Sequence, residues 1–197
     1  SSLTTLDTAF IVTSLSWIAE DLDGESNLKY IEVKANEGSW YRLSPRQTFM
    51  SLIPQSPKST STQNATVYLE GGSPESLKLE GLEVGGINDF YLKVTDISGA
   101  SSDIDTLRNI FIKPQIHDNL LLGEWSFHNT TNENLLASTG ISFDFIDMEV
   151  NGGANQPKFW NPAFQLYLSN YDFVMLYSGN GQYNNVQTGA QEYFLES

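Results

Sequence analysis

Between Asn88 and Asp96 the chain reads Asn-Asp-Phe-Tyr-Leu-Lys-Val-Thr-Asp, with Phe90, Leu92 and Val94 two positions apart. That spacing puts three apolar side chains on one face of an extended strand, a pattern a helix would scatter around its circumference. The alternation recurs upstream. Ile11, Thr13, Leu15 and Trp17 share one face of a strand, and Leu28 to Ala35 predicts another, with Ile31, Val33 and Ala35 buried and Glu32 and Lys34 facing water. Asp21-Leu22-Asp23-Gly24 and Glu37-Gly38-Ser39 supply turns, the second leading into Trp40-Tyr41-Arg42-Leu43. Val67-Tyr68-Leu69 predicts a short strand, and Leu107 to Ile112 a closing one after a turn at Ile97 to Ser101. Ser51 to Ala65, with Pro54, Pro57 and a Ser- and Thr-rich run, has no period and is expected to be a long loop or edge crossing. Short strands punctuated by Gly, Ser and Pro argue for a β-sandwich.

Ser14-Leu15-Ser16-Trp17, Lys29-Tyr30-Ile31-Glu32-Val33, and Leu82 leading into Phe90 to Gly99 resemble a fibronectin type III or related immunoglobulin-like module. The resemblance implies a strand-B Trp at Trp17, a strand-C Tyr at Tyr30 and the approach to strand F at Phe90, where the family has its corner Tyr. It covers residues 1–113.

Past Pro114 the grammar changes to strands alternating with helices. Asn119 to Glu124 opens a strand, Asn132 to Gly140 reads as a helix stopped by Gly140, and Ile141 to Asp147 is a second strand. Asn161 as N-cap and Pro162 at the first helical position start a helix that runs to Leu168. Tyr171 to Ser178 is a near-continuous apolar run, suited to a strand buried on both faces of a parallel sheet, with a helix expected from Thr188 to Glu196. Tyr171 to Gly179 followed by a helix is similar to flavodoxin-like and class I glutamine amidotransferase-like domains. That resemblance implies a partial Rossmann-like, three-layer α/β domain over residues 114–197. Such sheets usually hold about five parallel strands, so the expectation is a segment cut from a larger domain or completed by a partner.

Charge narrows the partners. The chain carries 24 Asp and Glu against 10 Lys and Arg, a formal net charge of −14. The first 113 residues hold 15 acids and 9 bases, and the rest hold 9 acids and Lys158 alone. A polyanion is repelled by such a chain, which argues against nucleic acid and anionic membrane surfaces. Hydrophobic residues at 40% supply enough apolar material for packed cores, so the excess charge does not mean disorder. No apolar run reaches the roughly 20 residues of a membrane helix, and no signal sequence opens the segment at Ser1. The absence of Cys removes disulfides, thiolate zinc sites and cysteine nucleophiles.

Four groups of residues carry candidate chemistry. Asp21, Asp23 and Glu25 around Gly24 place carboxylates at alternate positions, as calcium loops do, although the EF-hand spacing is incomplete and turn geometry alone favours the same residues. Ser178-Gly179-Asn180-Gly181 ends the apolar run, where open α/β sheets gather ligands beyond the strand ends and glycines allow close backbone approach. Ser178 lacks the flanking glycines of a nucleophile elbow. Phe159 and Trp160, in a loop after Asn151 to Pro157, are the aromatic pair placed for stacking on a sugar. His117 and His128 have neither the spacing nor the Cys neighbours of a zinc motif. Asn64-Ala65-Thr66 and Asn129-Thr130-Thr131 fit the glycosylation sequon, a frequent chance match in such chains.

No catalytic set assembles from these residues, and no cofactor is implied beyond the calcium alternative. The expectation is therefore a non-catalytic structural or adhesive region of a larger, multidomain bacterial protein, secreted or on the cell surface, that spaces or presents a neighbouring domain. Its partners would be neighbouring domains, a glycan or another surface protein. One alternative is the N-terminal part of a secreted hydrolase or amidotransferase-like enzyme with its catalytic residues downstream. Another is a glycan-binding module using Phe159 and Trp160.

Overall fold

The computed structural model describes residues 2–4, 8–20, 24–69, 73–123, 129–147 and 162–177. The chain is mostly β-sheet with little helix. It divides into two compact units, Ser1–Pro114 and Gln115–Ser197.

In the first unit, ten strands form two five-stranded sheets. One is ordered β1-β3-β6-β7-β8: β1 (Ser2–Thr4), β3 (Thr13–Ile18), β6 (Phe49–Pro54), β7 (Thr62–Tyr68) and β8 (Pro74–Glu83). The other is ordered β2-β10-β9-β4-β5: β2 (Thr8–Ala9), β10 (Asp105–Ile112), β9 (Ile87–Asp96), β4 (Leu28–Ala35) and β5 (Tyr41–Leu43). All pairings are antiparallel except that of β2 with β10. Leu15, Met50, Leu52, Ala65, Val67, Leu79 and Leu82 from the first sheet join Ile31, Val33, Ala35, Phe90, Leu92 and Ile112 from the second in one apolar core, every one of them fully buried.

The inward sets at Ile11 to Trp17, at Ile31, Val33 and Ala35, and at Phe90, Leu92 and Val94 are all buried. Two expectations are corrected. Ser51 to Ala65 is mostly not a loop: β6 and β7 pair there as a hairpin, leaving only 55–61 as the connection. Most of its polar residues are exposed, in the connection and along β7, and Ser51 is the exception. Ser51 is buried with its hydroxyl 2.9 Å from that of Ser14 on the facing strand. Gln63 folds back over the connection, accepting from Ser56 N and donating to Ser56 O and Ser59 O. Glu32, expected in water, is only 8% exposed because two cations from flanking strands close over it.

Strand order also departs from the immunoglobulin-like pattern on one side. In that family's A-B-E-D sheet, the later of the two strands added after C lies beside B. Here the first strand to enter, β6, lies beside β3, and β7 and β8 step outward from it.

The turns after β4 and after β8 meet at a polar corner. Asn36 takes a left-handed φ of 47°, and its amide donates to Gly81 O and Asn88 Oδ1 while its Oδ1 accepts from Asp89 N. Asn88, wholly buried, accepts from Glu83 N at 2.8 Å and donates to Glu83 O at 2.8 Å. Gly38 passes so close that a Cβ there would collide with Glu80 O.

Among its described residues the second unit holds a three-stranded sheet ordered β12-β11-β13: β12 (Asp144–Asp147), β11 (Asn119–Gly123) and β13 (Phe173–Tyr177), with both pairings parallel. Helix α1 (Asn129–Ser138) connects β11 to β12, and α2 (Pro162–Leu168) precedes β13. Gly140, at φ 74°, follows α1, as a left-handed glycine ending a helix does. Asn161 and the segment 188–196 lie outside the described residues. Leu120, Leu121 and Leu122 are all buried, so the central strand is covered on both faces. The expectation of the same for β13 is corrected: Phe173 is 64% and Met175 40% exposed. Among the described strands β13 has a neighbour on one side only, and the face that carries Phe173 and Met175 is left open.

Candidate functional site

None of the ligand-binding or metal residues singled out from sequence can be placed. Asp21, Asp23, Phe159, Trp160, Ser178, Gly179, Asn180 and Gly181 lie outside the described residues, as does the side chain of Glu25, which stands in a short 3-10 turn at Glu25–Asn27. His117 is half-buried, with its backbone N–H donating to Asp144, and His128 is undescribed. Among the described residues no group of His, Asp or Glu is placed to hold a metal ion.

The structure assembles a different constellation, on the outer face of β5, β4 and β9. Residues two apart on β4 point the same way, so Tyr30, Glu32 and Lys34 face outward while Ile31, Val33 and Ala35 enter the core. Register then sets their neighbours. Glu32 stands opposite Arg42 on β5 and Lys93 on β9, Lys34 opposite Tyr91, and Tyr30 opposite Thr95. Trp40, just ahead of β5, continues the row that holds Lys34 and Tyr91.

One row is an ion-pair bridge. Glu32 accepts from Arg42 at 3.1 Å and from Lys93 at 3.0 Å. Burial pushes the Glu32 carboxyl up, but hydrogen bonds from Lys93 and Arg42 and their charges outweigh it, so its pKa lies below the ordinary value. The other row sets a cation between two rings. Lys34 Nζ is 4.9 Å from the Tyr91 ring centre and 5.5 Å from that of Trp40. Lys93 Nζ reaches to 4.3 Å from Trp40, and Arg42 lies 4.0 Å over Tyr30. Distances of this size place each cation in the attractive field of the ring quadrupole, worth ~0.5–1 kcal/mol apiece at a wet surface.

The rows differ in charge balance. Glu32 is shared by two cations, and among the described residues no carboxylate lies within ion-pair distance of Lys34. The patch is thus locally positive on a chain of net charge −14. Its side chains are held by register, rings and Glu32, so little conformational entropy remains to be lost when something docks. The sequence carried a signal for this face in the spacing Tyr30-x-Glu32-x-Lys34, Trp40-x-Arg42 and Tyr91-x-Lys93. Without the register, nothing brings the three segments side by side.

In the second unit, Tyr167 and Tyr171 share a hydrogen bond of 2.8 Å, and the Tyr171 hydroxyl donates to Asp144 at 3.2 Å. Asp144 also accepts the backbone N–H groups of Ile116 and His117, tying the start of the unit to β12. Burial first, and then the neighbouring hydroxyl and carboxylate, raise the Tyr171 pKa well above the ordinary value. These groups tie α2, the residues ahead of β13 and β12 together. An open apolar hollow of about 230 Å³ is lined by Leu121, Leu136, Ile141, Phe143, Phe173 and Met175. No helix among the described residues is long and apolar enough to cross a membrane. No protein-family model matches the chain, and no curated protein matches it in sequence.

Proposed function

We propose that this chain is a non-catalytic structural or adhesive region of a larger secreted or cell-surface bacterial protein, built as an immunoglobulin-like β-sandwich followed by part of a Rossmann-like α/β domain. The observation that carries this reading is the outer face of β5, β4 and β9. Its charged groups and rings are fixed on the outer surface of a sheet, which suits contact with another molecule. Turnover instead favours a concave site in which water is excluded and a reacting group is surrounded. The β2-β10-β9-β4-β5 order supports the immunoglobulin-like assignment on that sheet, and the cysteine-free, acidic composition suits an exported module. The test is a broad hydrolase panel run beside retention of the immobilised chain on cell-envelope and matrix polymers. Retention without turnover is expected, and turnover of any substrate by the chain overturns the reading.

A second reading, a portion of a secreted hydrolase or amidotransferase-like enzyme, is favoured by one observation. In the order β12-β11-β13 the first strand of the unit is central and its successors flank it. Flavodoxin-like sheets begin with this order, and they bind ligands beyond the carboxyl ends of the first and third strands. Those ends are Gly123 and Tyr177, paired in register, and Ser178 follows directly. If the encoded chain continues past Ser197, a nucleophile and a His at the next strand ends would favour this reading.

A further inference from the structure

We infer that the outer face of β5, β4 and β9 is a binding site for an acidic saccharide, with one carboxylate seated on Lys34 and a sugar ring laid against Trp40 and Tyr91. The inference rests on the adhesive reading above and goes further by naming the ligand class.

Charge complementarity gives the first part of the argument. Lys34 is a cation fixed between two rings with no carboxylate of its own within reach among the described residues, while the neighbouring Arg42 and Lys93 spend one contact each on Glu32. The Arg42 side chain stays 61% exposed, leaving guanidinium donors open to a ligand. On these three strands Lys34, Arg42 and Lys93 stand against Glu32 and Asp89, and Asp89 lies 4.0 Å from Arg108 of β10, so the face keeps an excess of positive charge centred on Lys34. The whole chain at −14 nevertheless repels a dense polyanion at distances beyond the patch. The ligand that profits is one whose negative charge is confined to isolated carboxylates on an otherwise neutral body.

The second part is the shape of the surface. Away from the open edge of β5, the face offers no unpaired backbone N–H or C=O, so a peptide lying across β4 and β9 would lose water from its own backbone groups without replacement. A pyranose has no such difficulty. Its C–H face covers an aromatic ring while its hydroxyls point outward into water. The half-buried rings of Trp40 and Tyr91 flank Lys34 within one row, so the ring surface that Lys34 and Lys93 leave uncovered lies beside the ammonium, and a uronic acid presents its carboxylate and its C–H face to both together.

The test is titration of the full 197-residue chain with a galacturonic acid trisaccharide, its methyl ester, a neutral galactose trisaccharide and a sulfated heparin-type oligosaccharide. Calorimetry and two-dimensional NMR supply the readouts. Binding of the free acid is expected, with shifts confined to β5, β4 and β9 and a loss of roughly ten- to a hundredfold on esterification, the scale of one charged hydrogen-bonded contact. The ester comparison needs no variant. Lys34→Met should reproduce its effect with an unchanged melting curve, and Lys34→Arg should restore most of the binding. Equal affinity for acid and ester, no binding of the acid, tighter and steeply salt-dependent binding of the sulfated chain, or preference for a glutamate-containing peptide would each overturn the inference. If the acid fails to bind while the chain still shows retention without turnover, this inference falls and the adhesive reading stands.

Discussion

Replacing Asn88 by alanine tests whether the corner where the β4 and β8 turns meet holds the first unit together. Asn88 is fully buried. It makes three short hydrogen bonds, with Glu83 N at 2.8 Å, Glu83 O at 2.8 Å and Asn36 Nδ2 at 2.9 Å, and two longer ones to Gly86 O and Ile110 O. A net intramolecular hydrogen bond contributes about 0.5–1.5 kcal/mol, and a buried polar group left without a partner costs about 1–3 kcal/mol. Truncation removes the three short bonds and strands groups that alanine cannot serve, so the expected loss is about 3–5 kcal/mol. For a domain of this size that lowers the melting temperature by roughly 12 °C or more. Urea unfolding followed by the indole N–H resonance of Trp17 reads the first unit, because Trp17 is buried and that N–H donates to Gln47 O at 2.7 Å. Asn36→Ala removes the partner amide, so the double variant should lose clearly less than the sum of the singles, by at least about 0.5 kcal/mol. A loss under about 1 kcal/mol, or full additivity, would refute the idea that these bonds act as one network.

The remaining expectations concern the face, a turn and the second unit. Glu32→Gln should cost about 1–2 kcal/mol at neutral pH, toward the low end because Arg42 is open to water. Since the folded Glu32 pKa is depressed, its contribution is full above the ordinary value of 4.5 and fades as pH falls from there through the folded value. Wild type and variant stabilities, measured by urea titration at several pH values, should therefore converge in acid; a gap that stays constant with pH would contradict the assignment. Gly38→Ala should destabilise the first unit by about 2 kcal/mol or more, because the new methyl meets the backbone oxygen of Glu80, which cannot swing away as a side chain could. A melting curve matching wild type would show that the turn can open. Tyr171→Phe should cost the second unit about 1–2 kcal/mol by cutting the Tyr167–Tyr171–Asp144 chain. With both tyrosine pKa values raised, stability is intact below the ordinary value of 10.0 and lost above it. Titration followed at the ring resonances of Tyr167 and Tyr171 should show these two ionising only together with loss of structure, and their ionisation in the folded state would refute this.

Much of the first unit was legible because one-sided burial writes itself as period two. Leu28 to Ala35 and Asn88 to Asp96 are read directly, since one face of each meets the core and the other does not. The hairpin of β6 and β7 escaped for a physical reason. Ser51 is buried beside Leu52 and bonded to Ser14, so the strand lacks clean alternation, and Pro54 and Pro57 advertise a loop. Parallel strands in the second unit give a weaker record. The Tyr171 to Ser178 run announces a strand, but composition does not say whether that strand lies in the centre or at the edge. The exposure of Phe173 and Met175 follows from the strand order, which depends on what lies on either side.

The candidate face follows the same logic in reverse. Outward residues on a strand are usually read as solubilising, and Glu32 and Lys34 invite that reading one residue at a time. Paired across the sheet they become something else. Register places a carboxylate between two cations and an ammonium between two rings, so charges that would each cost little to expose are fixed in position by one another. Fixing a lysine costs side-chain entropy of the order of 1.5–2 kcal/mol. Two ring contacts of about 0.5–1 kcal/mol each roughly offset that cost and leave little surplus. A lysine held this way, with its charge unneutralised, adds almost nothing to the stability of the sheet. The arrangement gains free energy only when an anion arrives, and for that reason Lys34→Met should leave the fold intact while removing the binding.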